Sequence, residues 1–164
     1  MNKLLICLLL LVGGCMQVSA QMGAAQRIKP AVEKKFTLKA PIEKVREYIM
    51  EPRNYTKFSG VKSYICEEHA NEAEAKVVNK AGEAREQKVG YLSYEFHQLC
   101  FFVTKSPYME GQWVYAINLK PQGKGCEVEL IANTGPDGNA PEALVKAMEQ
   151  EFKDIQAGLE KKFK

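Results

Sequence analysis

The chain has 164 residues, and its 23 lysine and arginine residues against 20 aspartate and glutamate residues give a net charge of +3 at neutral pH. Charges of both signs are interspersed along the chain without forming a basic stripe, so composition argues against a nucleic-acid-binding protein. The length suits one domain with one hydrophobic core behind a short leader.

The N-terminus predicts an export signal. Lys3 supplies a positive charge, an unbroken apolar run covers 4–12, and small residues follow. The apolar run is shorter than the about 20 residues that a membrane-spanning helix needs, so we interpret the segment as a signal peptide. Export places the protein in the periplasm or the cell envelope.

Two cleavage sites fit this leader. The Val-Ser-Ala sequence at 18–20 has the small residues that signal peptidase accepts, and cleavage there would release a soluble protein that begins at Gln21. The Val-Gly-Gly-Cys sequence at 12–15 is similar to a bacterial lipobox, in which Cys15 would be lipidated and would anchor the protein to a membrane. The expected organisation is therefore a signal peptide over 1–20 (or 1–14 in a lipoprotein), a linker over 21–30 and a domain over 31–164.

A strand and two short helices begin the domain. Residues 32–38 alternate between apolar and polar and predict a strand. Pro41 is suited to the first turn of a helix, whose apolar residues fall on one face. Pro52 ends this helix, because the residue before a proline is pushed out of the helical region. A second short helix is predicted over 53–58, and Gly60 ends it.

From Val61 onward the pattern has period two. The predicted strands cover 61–67, 73–80, 85–95, 97–105, 111–120 and 126–133, with turn residues between them. One apolar and one polar face are typical of an antiparallel sheet.

A long helix is predicted over 140–163, with Asn139 and Glu142 as a capping box at its start. Apolar residues recur at three-and-four spacing and form one stripe along this helix. The stripe contains Leu144, Ala147, Met148, Phe152, Ile155, Leu159 and Phe163.

Two segments carry a family resemblance. The sequences KAPIEKV at 39–45 and EPRNYTKF at 51–58, followed by Gly60-Val61, resemble the START-like superfamily of polyketide cyclases, lipid-transfer proteins and Bet v 1-like proteins. Glu51 stands where that family usually has Asp. The resemblance implies an α+β helix-grip fold of order β-α-α-β6-α, in which a seven-stranded antiparallel sheet in the order 1-7-6-5-4-3-2 wraps around the terminal helix. In that order the strands carrying Cys66, Cys100 and Cys126 are not neighbours, which favours free thiols.

Signals for catalysis are weak. The sequence contains no H-E-x-x-H, G-x-S-x-G or phosphate-binding glycine loop, and its cysteines lack a C-x-x-C spacing. We therefore predict no metal site, no cofactor and no catalytic residue. His97, at a strand junction, fits either a proton shuttle or an ordinary histidine at the rim of the fold.

Aromatic residues give the positive signal for a binding site. Several recur on successive strands at inward positions, and aromatic bodies with a polar handle suit a mostly apolar pocket. The same residues would also serve a solid core, and the family resemblance favours the pocket. The predicted ligand-binding residues are Tyr91, His97, Phe101, Trp113, Tyr115, Met148 and Phe152.

These observations lead to three hypotheses. The first is an exported, monomeric protein that binds or carries a hydrophobic (lipid-like or aromatic) small molecule without catalysis, with the terminal helix and the loop at 106–110 as a lid. The second is an enzyme similar to polyketide cyclases and dehydratases, in which His97 or Tyr115 donates a proton. The third is an interaction module of the cell envelope without a cavity.

Overall fold

The computed structural model describes residues 29–68, 73–92, 97–135 and 137–164. The predicted signal peptide, Cys15 and most of the linker lie outside these residues and stay predictions. Within the described residues, no helix is both long enough and apolar enough to cross a bilayer.

The elements follow the predicted order. The helices are α1 (Ile42–Met50), α2 (Tyr55–Ser59), which follows a 3₁₀ turn at Pro52–Asn54, and α3 (Glu142–Lys162). The strands are β1 (Val32–Leu38), β2 (Ser63–Glu68), β3 (Ala73–Val78), β4 (Ala84–Leu92), β5 (Gln98–Lys105), β6 (Trp113–Gln122) and β7 (Gly125–Asn133).

The strands form one antiparallel sheet in the order β1-β7-β6-β5-β4-β3-β2. This order and the α+β helix-grip architecture confirm the prediction. Rows of side chains cross the inner face of the sheet, because paired residues on neighbouring strands point to the same side. In one row Gln87 of β4 pairs with Val103 of β5, which pairs with Trp113 of β6. In the next, Val89 pairs with Phe101, which pairs with Tyr115.

The hydrophobic core lies between the inner face of the sheet and α3. Five of the seven residues of the predicted apolar stripe are buried on α3, and α1 adds its own apolar face through Ile42, Val45 and Ile49. The backbones of α2 and α3 come into direct contact at Gly158, where an added Cβ would lie 2.3 Å from the carbonyl oxygen of Phe58.

The start of α3 and the cysteines each bear on a local expectation. The predicted capping box is wrong: α3 starts at Glu142 with Pro141 at its N-cap and no side-chain cap, and Asn139 bonds the carboxylate of Asp137 instead. Proline has a φ angle already close to the helical value, so Pro141 begins the helix without a polar cap. Among the described cysteines, no disulfide joins Cys66, Cys100 and Cys126 to one another.

Candidate functional site

A cleft of about 540 Å³ opens between the first half of α3 and one end of the sheet. Its walls come from α3, the end of α2, the β3–β4 hairpin and the β5–β6 loop, which contributes Pro107 and Tyr108. The lining is mixed: apolar side chains such as Val61 and Ala147 stand beside charged ones such as Lys146. The two elements expected to act as a lid are therefore both walls of this cleft.

A buried ion pair lies among the residues that line the cleft. Arg85 of β4 and Glu151 of α3 are 5% and 7% exposed. The guanidinium donates two hydrogen bonds to the carboxylate, from Nη1 to Oε2 and from Nη2 to Oε1, each at 2.6 Å. This paired geometry is among the strongest hydrogen-bonding arrangements available to side chains.

Two tyrosine hydroxyls and one amide complete the polar cluster. Tyr55 donates to Oε1 of Glu151 at 2.9 Å, and its oxygen lies 2.8 Å from that of Tyr115. Tyr115 donates to Oε1 of Gln87 at 2.9 Å, and the same oxygen accepts from Nε of Arg85 at 3.0 Å. Nη2 of Arg85 donates to the Tyr115 hydroxyl at 3.0 Å. The cluster thus ties β4, β6, α2 and α3 together.

Burial controls the protonation of these groups. Burial and the charge of Glu151 hold the pKa of Tyr55 well above its ordinary value. Burial raises the pKa of Tyr115 to about 12, although the charge of Arg85 opposes the rise. Burial by itself would lower the pKa of Arg85, but the adjacent carboxylate more than compensates, so the pKa lies above the ordinary value. At neutral pH both phenols are protonated and the guanidinium is charged.

Solved structures with the same architecture are found, whereas no family model and no curated protein matches the chain. A START superfamily protein from Mycobacterium smegmatis is 13% identical, with 80% of this chain and 95% of that chain covered and a TM-score of 0.61. The Zhui aromatase/cyclase from Streptomyces sp. R1128 is 14% identical, with 78% and 90% covered and a TM-score of 0.61. Ara h 8.0201 is 14% identical, with 80% of this chain and 95% of that chain covered and a TM-score of 0.60. The chain has the START-like helix-grip fold.

Five of the predicted ligand-binding residues lie in the interior of this START-like fold. Phe101 and Tyr115 stack with ring centroids 4.4 Å apart, and the Trp113 ring lies 5.7 Å from that of Tyr115. Met148 and Phe152 are buried on the inner side of α3. The five belong to one hydrophobic core, and none of them lines the cleft, from which Tyr115 is separated by the ion pair.

The other two predicted residues lie elsewhere. His97 is half-buried, has a left-handed backbone with φ of 47°, and its carbonyl accepts from the amide of Leu119. Leu119 is four residues from Tyr115 on β6, or about 13 Å, so His97 is at the end of the sheet opposite the cleft. Its Nδ1 lies 3.4 Å from Nη1 of Arg46 on α1. Tyr91 pairs with Leu99 through its backbone, and its side chain lies outside the described atoms.

A hydrogen-bonded contact joins two walls of the cleft at its rim. The Tyr108 hydroxyl donates to Oε2 of Glu83 at 2.6 Å and accepts from Nδ2 of Asn79 at 2.6 Å. The bond from Tyr108 lowers the pKa of Glu83, while burial and Glu83 raise that of Tyr108. This contact holds the β5–β6 loop against the β3–β4 hairpin.

The ion pair was not predicted from the sequence, although the periodicity of β4 and α3 contained a signal for it. Arg85 shares the inward parity of Val89, and Glu151 falls between Met148 and Ile155 on the apolar stripe of α3. Two residues of opposite charge that both fall at core positions predict a buried ion pair. Such a pair can orient a polar group of a ligand. Over the described ranges, no group of three histidine, cysteine or acidic side chains is placed to hold a metal ion.

Proposed function

We propose that this START-like protein is an exported binder or carrier of a hydrophobic (lipid-like or aromatic) small molecule and acts without catalysis. The observation that carries the proposal is the cleft of about 540 Å³ with the Arg85–Glu151 pair in its lining. Ligand sites typically occupy about 300–1,000 Å³ and combine apolar walls with few polar groups. Replacing a buried ion pair by apolar side chains often stabilises a protein, so a pair kept beside a cleft favours a role in recognition.

The ligand would enter at the cleft and extend over the aromatic residues of β5 and β6. In the closed state those rings pack together, so binding requires the first half of α3 to move. The second half of α3 is in backbone contact with α2 at Gly158, so the first half is the one that we expect to open. Phe101, Trp113, Tyr115, Met148 and Phe152 would then contact the ligand, and Tyr91 and His97 would lie at the far end. Each CH₂ group removed from water contributes about 0.8 kcal/mol.

Export is the second part of the proposal. The leader supports a periplasmic or envelope location, reached as a soluble monomer or with lipidated Cys15 as a membrane tether. Mass spectrometry of the intact protein recovered from cells distinguishes the two forms. A start at Gln21 identifies the soluble form, a start at a lipidated Cys15 the anchored form, and an uncleaved cytoplasmic chain would contradict export.

Native mass spectrometry tests ligand binding directly. Protein stripped of lipid and incubated with a membrane extract is expected to retain a small molecule. Ala147→Trp places a large ring in the cleft and should abolish loading, whereas Ala157→Trp on an exposed part of the same helix is the matched control. Protein that stays empty, or equal loading of both variants, would overturn the proposal.

A cyclase-like enzyme is the second candidate, because a chain of hydrogen bonds runs from Glu151 through the Tyr55 hydroxyl to the Tyr115 hydroxyl beside the cleft. We favour the binder because the raised pKa of both phenols makes them poor proton donors near neutral pH. Conversion of a polyketide-like substrate that is lost in Tyr115→Phe combined with His97→Gln would favour the enzyme. The cleft argues against the third hypothesis, an interaction module without a cavity.

A further inference from the structure

Two buried hydrogen-bond donors, one on β4 and one on β6, have no acceptor among the described residues. The side chains of Gln87 and Trp113 are each 2% exposed, and Nε2 of the amide and Nε1 of the indole have no partner within the described part of the chain. A buried N–H group without an acceptor is costly, and native interiors contain few of them. Two such N–H groups in one row of the sheet therefore need an explanation.

The orientation of the Gln87 amide is fixed by its neighbours. Its Oε1 accepts from Nε of Arg85 and from the hydroxyl of Tyr115. An arginine Nε can only donate, so the amide oxygen has to face Arg85 and the NH₂ group has to point elsewhere. Turning the amide over would leave the guanidinium donor without its acceptor. The free donor on Gln87 therefore follows from the ion pair itself.

The two donors lie in one row at the end of the sheet where the cleft opens. Gln87 and Trp113 both pair with Val103, one on either side of it. Gln87 follows Arg85 by two residues, and Trp113 begins β6 directly after the loop that carries Tyr108, so both donors are close to cleft-lining segments. Both residues also contact Tyr115, through a hydrogen bond and a ring contact respectively.

The third buried polar atom without a partner belongs elsewhere. Oδ1 of Asn133 is an acceptor, and Asn133 follows the buried Ala132 on β7, so its side chain lies on the outer face of the sheet. The buried polar side-chain atoms without a partner on the inner face, among the described residues, are therefore both hydrogen-bond donors.

We propose that the ligand carries an uncharged hydrogen-bond acceptor, such as a ketone or ester carbonyl oxygen, that is bound by Nε1 of Trp113 and Nε2 of Gln87. This inference rests on the proposed function and adds the chemical class of the ligand. A carbonyl oxygen accepts a hydrogen bond from an amide or an indole N–H group and brings no charge into the buried site. A carboxylate is disfavoured because Arg85 is already neutralised by Glu151, whose charge would repel a second anion. Among the described residues, the buried side-chain atoms without a partner on this face include no acceptor, so nothing there favours a cation.

Three probes of nearly equal size test the class: benzophenone has a carbonyl, diphenylmethane has none, and diphenylacetate has a carboxylate. Trp113 is the only tryptophan, so the ¹⁵N–¹H spectrum contains one indole cross-peak that reports on the site. Benzophenone is expected to bind about tenfold more tightly than either other probe. It should also move the indole proton downfield, as a new hydrogen bond requires.

Two variants locate the effect. Trp113→Phe keeps an aromatic ring and removes one donor, which should reduce the preference for benzophenone over diphenylmethane to about threefold. Gln87→Glu keeps an acceptor for Arg85 and Tyr115 and replaces the free donor by a second acceptor, so it should disfavour the carbonyl. Phe101→Leu, which perturbs the ring stacked on Tyr115 without removing a donor, is the control and should weaken both probes equally.

The outcomes separate this inference from the function on which it rests. Equal binding of benzophenone and diphenylmethane with an unmoved indole peak would mean that water satisfies the two donors, and only the inference would fall. Binding of none of the three probes would overturn the proposed function as well. A preference for benzophenone that survives in both Trp113→Phe and Gln87→Glu would show that the carbonyl binds elsewhere, against the inference.

Discussion

Helix α3 crosses two interiors of different kinds. Around Ile155 and Leu159 it packs among apolar side chains, and at Gly158 its backbone touches the end of α2. One turn before Ile155, on the same face, Glu151 meets Arg85 and the hydroxyl of Tyr55. The first region is held by a backbone contact between two helices, whereas in the second long polar side chains join the helix to the sheet.

The two regions contribute differently to the free energy of folding. Burial of the apolar region stabilises the fold in proportion to the area removed from water. In the polar region the cost of removing two charges from water roughly cancels their attraction, so the pair adds little net stability. The close-packed region thus holds α3 in place, while the polar region can open at moderate cost. This division would suit the proposed entry of a ligand beside the first half of a helix whose second half is anchored.

The largest expected effect comes from removing one charge of the polar region. Glu151→Ala leaves Arg85 buried without a counter-charge and should lower the free energy of unfolding by about 3–5 kcal/mol. Replacing both residues by methionine should restore most of that loss or exceed the original stability, because no charge stays buried. Urea denaturation of the two variants measures the difference.

Asp154→Ala provides the control for this prediction. Asp154 lies one turn after Glu151 and pairs with Lys80, whose side chain is 62% exposed, so its loss should cost at most about 1 kcal/mol. A double methionine variant as unstable as Glu151→Ala would contradict the comparison, because the pair would then be a net source of stability.

Sequence reasoning recovered the fold because each element carries a local signal. The period-two strands, the prolines at helix starts and the apolar stripe of α3 each act within one element, and the strand order came from the family resemblance. The site was recovered only in part. Arg85 and Glu151 are 66 residues apart, and each alone is typical of a solvent-exposed surface. Only the pairing of strand and helix shows that they share one buried position, and periodicity within an element contains no such information.

Alkaline pH should weaken the polar region selectively. The pKa of Tyr115 rises from 10.0 to about 12 in the folded protein, so the folded state keeps the phenol proton that the unfolded chain loses. The stabilising contribution is complete below pH 10 and disappears as the pH rises through 12. Its size is about 3 kcal/mol. Denaturation curves recorded between pH 9 and 12 should therefore show a falling stability that is less steep in Tyr115→Phe.

Trp113→Phe is the control for the alkaline effect, because it changes a neighbouring ring without removing a titratable group. Its stability should fall with pH as steeply as that of the original protein. An identical slope in Tyr115→Phe would mean that the Tyr115 hydroxyl titrates normally and that the cluster is more open to water than its burial indicates.

The smallest effect is expected in the close-packed region, where its sign is the informative quantity. Gly158→Ala would stabilise an open helix position by about 1 kcal/mol, because alanine is the better helix former. Here the new Cβ would lie 2.3 Å from the carbonyl oxygen of Phe58 and 2.6 Å from its Cα, and backbone atoms cannot move aside as a flexible side chain can. We therefore expect the free energy of unfolding to fall by about 1–3 kcal/mol, measured by urea denaturation.

The reciprocal control is Ala157→Gly at the exposed neighbouring position, which should cost about 1 kcal/mol through helix propensity alone. A stabilised Gly158→Ala would mean that α2 and α3 are not in backbone contact, and that the anchored end of the helix is as free to move as the end over the cleft.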